Sequence, residues 1–387
     1  MALGFFWATI LLGFFASVLA LDIMGLFRRK NHFPVEGRTV LITGGSQGMG
    51  RGVAKLLAQK GANVLIVARD VKKLESAVEY IQAAAKSPAQ RFHYISADLM
   101  NPAESERIMH EAAVWNNNNP PDVVWCIAGS AAPELFLNTP VERHRQLMDS
   151  NYWSAAYLAH ATLRSWFKPR TPPPATPAST TTTSKSVSET ETPVTTKEQS
   201  ASQAAATPPA RHLIFTSSVL AFYPIIGYNG YSPAKAALRS LSDALSQEIN
   251  LYNGARHHNP SLGPTADVKV HTVFPGTIYT PGYEHENETK PAITKLLEAG
   301  DPGQTEDECA AVSVRGLERG EYLITVAFLG SAMRACAWGG SPRGNFLLDT
   351  LMTWITSIAW LFIQPDMDKK VWRWGRANGM PKDAKSA

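Results

Sequence analysis

Cysteine is scarce. Cys126, Cys309 and Cys336 form an odd set with neither metal-ligand nor disulfide-framework spacing. That excludes a disulfide-stapled scaffold, suits a reducing compartment and leaves all three as packing residues, with no metal expected. A dominant charge of one sign is missing too. The formal net charge is +4 and the basic residues are dispersed, so the stripe of Lys and Arg that a nucleic-acid surface requires is absent. No nucleic-acid partner is expected. Aromatic residues vanish between Pro169 and Ala210, where Pro, Thr, Ser and Ala dominate, including Pro172-Pro173-Pro174 and Thr180 to Thr183. Such a stretch cannot bury enough apolar surface to offset its ordering entropy, so residues 169–210 read as a disordered surface insertion.

Hydrophobic residues make up 44% of the chain and charged residues 18%, which is ordinary for a globular protein, but the apolar residues accumulate at both ends. From Ala2 to Phe27 the chain is apolar apart from Asp22 and small polar residues, and Arg28-Arg29-Lys30 follows. About 20 apolar residues span a bilayer, so residues 1–30 read as an anchor with the following domain on the cytosolic side. A cleaved signal peptide ending at Val18-Leu19-Ala20 is the alternative, opposed by basic charge that follows the apolar run instead of preceding it. The other apolar end, Tyr322 to Ile363, is interrupted by Arg334, by the turn Gly339 to Gly344 and by Asp349. Its piece Phe346 to Ile363 suits a helix in or on a membrane, although Asp349 and three threonines argue against a simple span. A core or dimer helix is the other reading. Residues 331–387 are taken as a membrane-associated region ending in a basic tail after Gln364-Pro365-Asp366.

Without the insertion, residues 37–330 have the size of one α/β domain. Buried strands are expected at Thr39 to Thr43, Asn63 to Ala68, Phe92 to Ser96, Val123 to Ile127, His212 to Thr216 and Val268 to Phe274. Helical patterns lie between them, at Gly50 to Lys60, Val71 to Ala85, Val141 to Phe167 and Pro233 to Tyr252. That alternation predicts a doubly wound parallel sheet with its ligand crevice at the carboxyl ends of the strands.

The first strand runs into Thr43-Gly44-Gly45-Ser46-Gln47-Gly48-Met49-Gly50, which opens a helix. Gly44, Gly48 and Gly50 let the backbone approach a pyrophosphate, with Ser46 and Gln47 in the same loop and the helix N-terminus stabilising its charge. The second strand ends Ala68-Arg69-Asp70. Arg69 can pair with a ribose 2′-phosphate where an acid would take a hydroxyl, and Lys73 lies one turn further, so NADPH is favoured over NADH. Asp70 is the feature that points the other way. Asp98 and Leu99, ending the third strand, are placed for an adenine edge, or Asp98 caps the next helix. Thr216-Ser217-Ser218 then closes a strand, and Tyr231-Ser232-Pro233-Ala234-Lys235 starts a helix. Residues four apart share a helical face, so the Lys235 ammonium can lower the pKa of the Tyr231 phenol toward the range a general acid needs.

Together with Asn151 and Pro275-Gly276-Thr277-Ile278-Tyr279-Thr280, these motifs resemble the short-chain dehydrogenase/reductases. The resemblance implies a Rossmann-like domain in which Tyr231 donates the proton and Lys235 lowers its pKa and holds the nicotinamide ribose. It also implies that Ser218, or less readily Ser217, orients the carbonyl, that Asn151 holds a relay water, and that Ile278 and Thr280 flank the carboxamide. One departure stands out. Where that family often has Asn-Asn-Ala-Gly, this chain has Cys126-Ile127-Ala128-Gly129, so the first asparagine's contact is not carried over while the catalytic set is.

Within the family, the apolar ends, the glycine loop and Ala68-Arg69-Asp70 with Lys73 look like the 3-ketodihydrosphingosine reductases of the endoplasmic reticulum. That implies reduction of 3-ketosphinganine, a long-chain keto base, to sphinganine. Rival readings are a membrane-bound reductase of a steroid, retinoid or 3-oxoacyl chain, and an NADPH-binding sensor without turnover. Glu284, His285, Glu286 and Glu288 are expected in a solvated flexible loop, with contact to a substrate amine as the alternative. The helices carrying Met148, Tyr152 and Trp153, or Ala236 to Leu245, are candidate homodimer faces and equally candidate core.

Overall fold

The computed structural model describes residues 30–167, 208–258, 264–339 and 342–378. The expected anchor through residue 29, most of the insertion and the tail from 379 lie outside the described residues. Seven strands form one parallel sheet: β1 (Thr39–Thr43), β2 (Asn63–Ala68), β3 (Phe92–Ser96), β4 (Val123–Cys126), β5 (Arg211–Thr216), β6 (Val268–Phe274) and β7 (Leu323–Thr325). Their spatial order is β3-β2-β1-β4-β5-β6-β7, so the direction of winding reverses between β1 and β4. That switch point opens a crevice at the strand ends.

Helices cover both faces, and the central strands are therefore nearly continuous apolar runs. Val40, Ile42, Ile66 and Trp125 face one layer, built from α1 (Gly48–Gln59) and α2 (Val71–Gln82), with the later helix Glu306–Glu318 packed on α1. Leu41, Leu65, Val124 and Phe215 face the other. There they meet α3 (Pro102–Trp115), α5 (Ser154–Trp166) and α6 (Tyr231–His258), while α4 (Val141–Met148) leads into α5. Buried polar groups are partnered across the layers: the Trp125 indole donates to the Thr216 hydroxyl at 3.0 Å, and that of Trp166 to the Pro121 carbonyl at 2.8 Å.

Two differences from the sequence reading bear on the site. The helix expected to run unbroken from Val141 to Phe167 instead contains a π turn, Asp149–Trp153, with Asn151 fully buried inside it. One extra residue per turn re-aims a side chain, and such insertions concentrate at functional sites. The second concerns the apolar end from Tyr322. Its first part is β7, paired with β6 through Thr272 and Leu323, and Leu323 is buried against Phe274 and Trp338. That part is apolar because it is sheet core.

After β6 come α7 (Pro281–Thr289), α8 (Ala292–Glu298), α9 (Glu306–Glu318), α10 (Phe328–Cys336) and α11 (Phe346–Asn378). The stretch Phe346–Met367 of α11 is long and apolar enough to cross a membrane, with a mean hydropathy of 1.7 over its most apolar window. Leu361 and Phe362 on it are exposed. Three of its polar residues are satisfied internally: Asp349 accepts from the Gly344 and Asn345 amides at 3.0 Å each, and Thr353 and Thr356 donate to carbonyls one turn back at 2.7 Å. The helix continues through Pro365 to Asn378, beyond the piece ending at Ile363 that the sequence marked out.

Candidate active site

The glycine loop forms the floor of the crevice. Gly44 and Gly48 have φ of +66° and +56°, a backbone region that disfavours other residues. A Cβ on Gly44 would sit 3.0 Å from the Ala128 backbone, and one on Gly48 would sit 3.1 Å from the Thr280 side chain. The Gln47 side chain leaves the N-terminus of α1 uncapped, so its first amides face the loop. Uncapped amides, a tight glycine turn and close backbone approach fit a pyrophosphate.

Past β2, the Asp70 carboxylate accepts from the Lys73 amide at 3.1 Å and caps α2. Asp70 thus has a structural task. Arg69 is exposed and makes no ion pair among the described residues, and the Lys73 ammonium reaches the Gln47 side chain at 3.4 Å. Lys73 and Gln47 therefore share one polar rim, and Arg69 is exposed at the end of β2. Asp98 accepts from the Met100 amide at 3.1 Å, whereas the cap of α3 is Asn101, so Asp98 is not the helix cap. Leu99 is buried beside it.

The catalytic candidates converge from three elements. Lys235 is buried and donates to the Thr216 carbonyl at 3.0 Å, with its ammonium 5.5 Å from the Tyr231 ring centroid. Burial pulls Lys235 down to about 8, which leaves it mostly cationic at neutral pH. Burial pushes the Tyr231 phenol well above its usual value, by more than a hydrogen bond with Ser218 pulls it down, so the lowering expected from Lys235 is not found in the resting site. Ser218 also accepts from the Leu220 amide at 3.2 Å, at the head of the short 3-10 turn Val219–Ala221. The neighbouring Ser217 hydroxyl donates to the Lys235 carbonyl at 2.8 Å and is committed to holding α6. The Asn151 amide donates to the Ser130 and Leu147 carbonyls at 2.8 and 2.9 Å and accepts from the Ser130 amide at 3.2 Å. Ile278 makes a strand-like bridge to Gln304, and the Thr280 hydroxyl caps α7 by accepting from the Tyr283 amide. Thr280 lies at the edge of the glycine loop, against Gly48.

Sequence reasoning missed Thr43 and Gly129 as site residues, although it quoted both within motifs. The Thr43 hydroxyl accepts from the Ile127 and Ala128 amides at 2.9 and 3.1 Å, which ties the ends of β1 and β4 together. This bond holds the segment where Cys126 and Ile127 replace the usual asparagines. Cys126 is buried, and burial pushes its thiol up to about 12, which keeps it unreactive. A Cβ on Gly129 would lie 2.5 Å from the Asn151 Oδ1 and 3.2 Å from the Lys235 Nζ, so both groups converge on one bare patch of backbone.

An open cavity of about 490 Å³ lies along the start of α6, with Tyr228, Asn229, Ser232 and Pro233 in its wall and Tyr231 outside its lining. Leu135, Phe136, Leu137 and the run Pro224 to Tyr228 line it. Glu286, expected in solvent, faces inward from α7, whereas Glu284, His285 and Glu288 are exposed.

A family model described as short chain dehydrogenase matches residues 38–171. The chain is 50% identical over 355 residues to the 3-ketodihydrosphingosine reductase ksrA of Aspergillus fumigatus, covering 91% of this chain and 89% of that protein. It is 42% identical to the 3-ketodihydrosphingosine reductase gsl-3 of Neurospora crassa, covering 95% and 91%. This chain belongs to the short-chain dehydrogenase/reductase family. A short-chain type dehydrogenase/reductase from Mycobacterium marinum, 20% identical, superimposes with a TM-score of 0.55 over 76% of this chain and 96% of that one, which shows the shared fold. As a short-chain dehydrogenase/reductase, the protein is an oxidoreductase acting on a ketone with a nicotinamide cofactor.

Proposed function

We propose that this chain reduces 3-ketosphinganine to sphinganine with NADPH, at an endoplasmic reticulum membrane with its catalytic domain in the cytosol. The observation that carries the reading is the gathering of Ser218, Tyr231 and Lys235 at the carboxyl end of the sheet, in a chain half identical to a reductase named for this ketone. The glycine turn fits the pyrophosphate, and Arg69 with Lys73 suits a 2′-phosphate, since Asp70 is occupied in capping α2. When bound, the cofactor supplies a hydride to the carbonyl carbon. Tyr231 donates a proton to the carbonyl oxygen, and the Lys235 cation stabilises the phenolate that remains. Ser218 orients the carbonyl, because Ser217 is held by the Lys235 carbonyl. Asn151 and Lys235 both border Gly129, within a single water's span of each other, which supports a proton relay between them.

The substrate's alkyl chain suits the wall Leu135 to Leu137 and Pro224 to Tyr228. That wall stands near α11, which packs on α8 and brings the Trp360 ring 4.8 Å from that of Tyr223. A helix whose Asp349, Thr353 and Thr356 are internally satisfied can lie in hydrocarbon, where a long-chain keto base partitions. Residues 1–30 supply a second anchor in this reading. The test is cofactor oxidation by detergent-solubilised protein given 3-ketosphinganine, a steroid ketone or a 3-oxoacyl thioester, each with NADPH and NADH. Preference for 3-ketosphinganine with NADPH is expected. Turnover of another ketone alone would retain the catalytic group and discard the substrate.

A further inference from the structure

The substrate half of the molecule holds a second set of ionisable side chains for which the reaction above has no task. Tyr228 lies three residues before Tyr231, and their ring centroids are 5.9 Å apart. Its hydroxyl lies in hydrogen-bond reach of the Glu286 carboxylate of α7 and, at 2.7 Å, of the Glu298 carboxylate of α8. Lys290, with a fully buried side chain, closes the ring at 3.1 Å from Glu286 and 2.6 Å from Glu298. Its ammonium also stands over the Tyr228 and Tyr283 rings, at 5.7 and 4.8 Å from their centroids. Neutral bonds fasten the same segments. The Thr294 hydroxyl of α8 donates to the Ile226 carbonyl at 2.9 Å, and the Gly227 carbonyl accepts from the Glu134 amide at 2.9 Å. The cavity wall leading into α6 is therefore pinned from both sides.

A charged cluster of this kind is a poor source of stability, because desolvation consumes what the ion pairs return. Its value lies in geometry. We propose that Tyr228 is a positioning residue for Tyr231: with Glu286, Glu298 and Lys290 it forms a clasp that fastens α7 and α8 to the segment entering α6 and fixes the ring from which the proton is given. The proposal rests on Tyr231 being the donor. Two carboxylates against one ammonium leave the clasp with one negative charge. The groups facing Tyr231 are Lys235 on its own helix, Ser218 on the 3-10 turn, and Tyr228 and Glu286 of the clasp, while His144 of α4 lies beside the neighbouring Gly230. Glu286 acts with burial to keep the phenol protonated, the state a reductase needs.

The experiment is a double-mutant cycle on the solubilised full chain, with Tyr231→Phe as control and turnover scaled to cofactor-binding sites. Tyr228→Phe and Glu298→Gln are each expected to lower kcat about tenfold with cofactor affinity unchanged, as loss of one hydrogen bond implies. The double variant should be no worse than the poorer single one, since both open the same clasp. Glu286→Gln should move the alkaline limb of the kcat profile to lower pH, which a purely structural role would not do. Losses that multiply, or a Tyr228→Phe variant with unaltered kcat and pH profile, would overturn the proposal. If Tyr231→Phe itself retained turnover, the donor assignment would fail first, and the clasp with it.

Discussion

The two halves of the crevice are built differently. On the cofactor side, recognition comes from backbone: the left-handed Gly44 and Gly48, the uncapped start of α1, and a side chain, Thr43, that clamps the ends of β1 and β4. On the substrate side it comes from side chains far apart in sequence, with Tyr228 meeting Glu286, Lys290 and Glu298, and Tyr223 meeting Trp360. Backbone recognition is local and therefore written in short motifs. Side-chain recognition is assembled by the fold.

Removing the donor should separate the halves most sharply. Tyr231→Phe is expected to lower kcat by about 10²- to 10⁴-fold, the range of general acid catalysis, while NADPH still binds, as fluorescence titration would show. Retention of near-normal rate would refute the mechanism. Next is Gly129→Ala. Its methyl would press on the Asn151 Oδ1 and the Lys235 Nζ, and misplacing such groups by about 1 Å costs on the order of 100-fold in kcat. Comparison of kcat with thermal stability checks whether the loss is catalytic.

Arg69→Ala tests the cofactor half alone. Losing a charge-assisted contact is expected to raise the KM for NADPH by roughly 10- to 100-fold and leave that for NADH unchanged. Equal effects on both would remove Arg69 from phosphate recognition.

The smallest effect on turnover, and a clear one on stability, concerns two interior strands of the sheet, β5 and β6. His212 and His271 are buried with their rings 3.0 Å apart at the hydrogen-bonding nitrogens. Burial pulls His271 down to about 4 from 6.5, so the folded state binds its proton later than the unfolded chain does. The sign follows from linkage: stability is intact above pH 6.5 and is lost as pH falls toward 4, by on the order of 3 kcal/mol. Thermal unfolding at pH 7 and pH 4.5 measures it, and a flat profile would contradict the assignment.

The sheet was legible in the sequence because its strands are uninterrupted apolar runs between glycine-rich turns, and β1, β2, β3 and β6 have the expected limits. β7 escaped notice because Leu323–Thr325 is short and merges into the apolar stretch that follows. Tyr231 and Lys235 were legible because their spacing is helical. Ser217 and Ser218 were not separable in sequence, since only the Lys235 carbonyl distinguishes them. Glu286 was misread as solvated because α7 has no apolar stripe: its one inward carboxylate is paired with Lys290 four residues on, which also pairs with Glu298 of another helix.

The π turn at Asp149–Trp153 makes the site sensitive to counting as well as to chemistry. Each residue advances a helix by about 100°, so a turn holding one surplus residue sets the angular phase between α4 and α5. Deleting a single neighbour of Asn151 would let the helix relax to regular winding and swing that side chain away from Ser130 and Gly129. Every catalytic residue would then still be present, on a helix that has slipped out of phase with its partners.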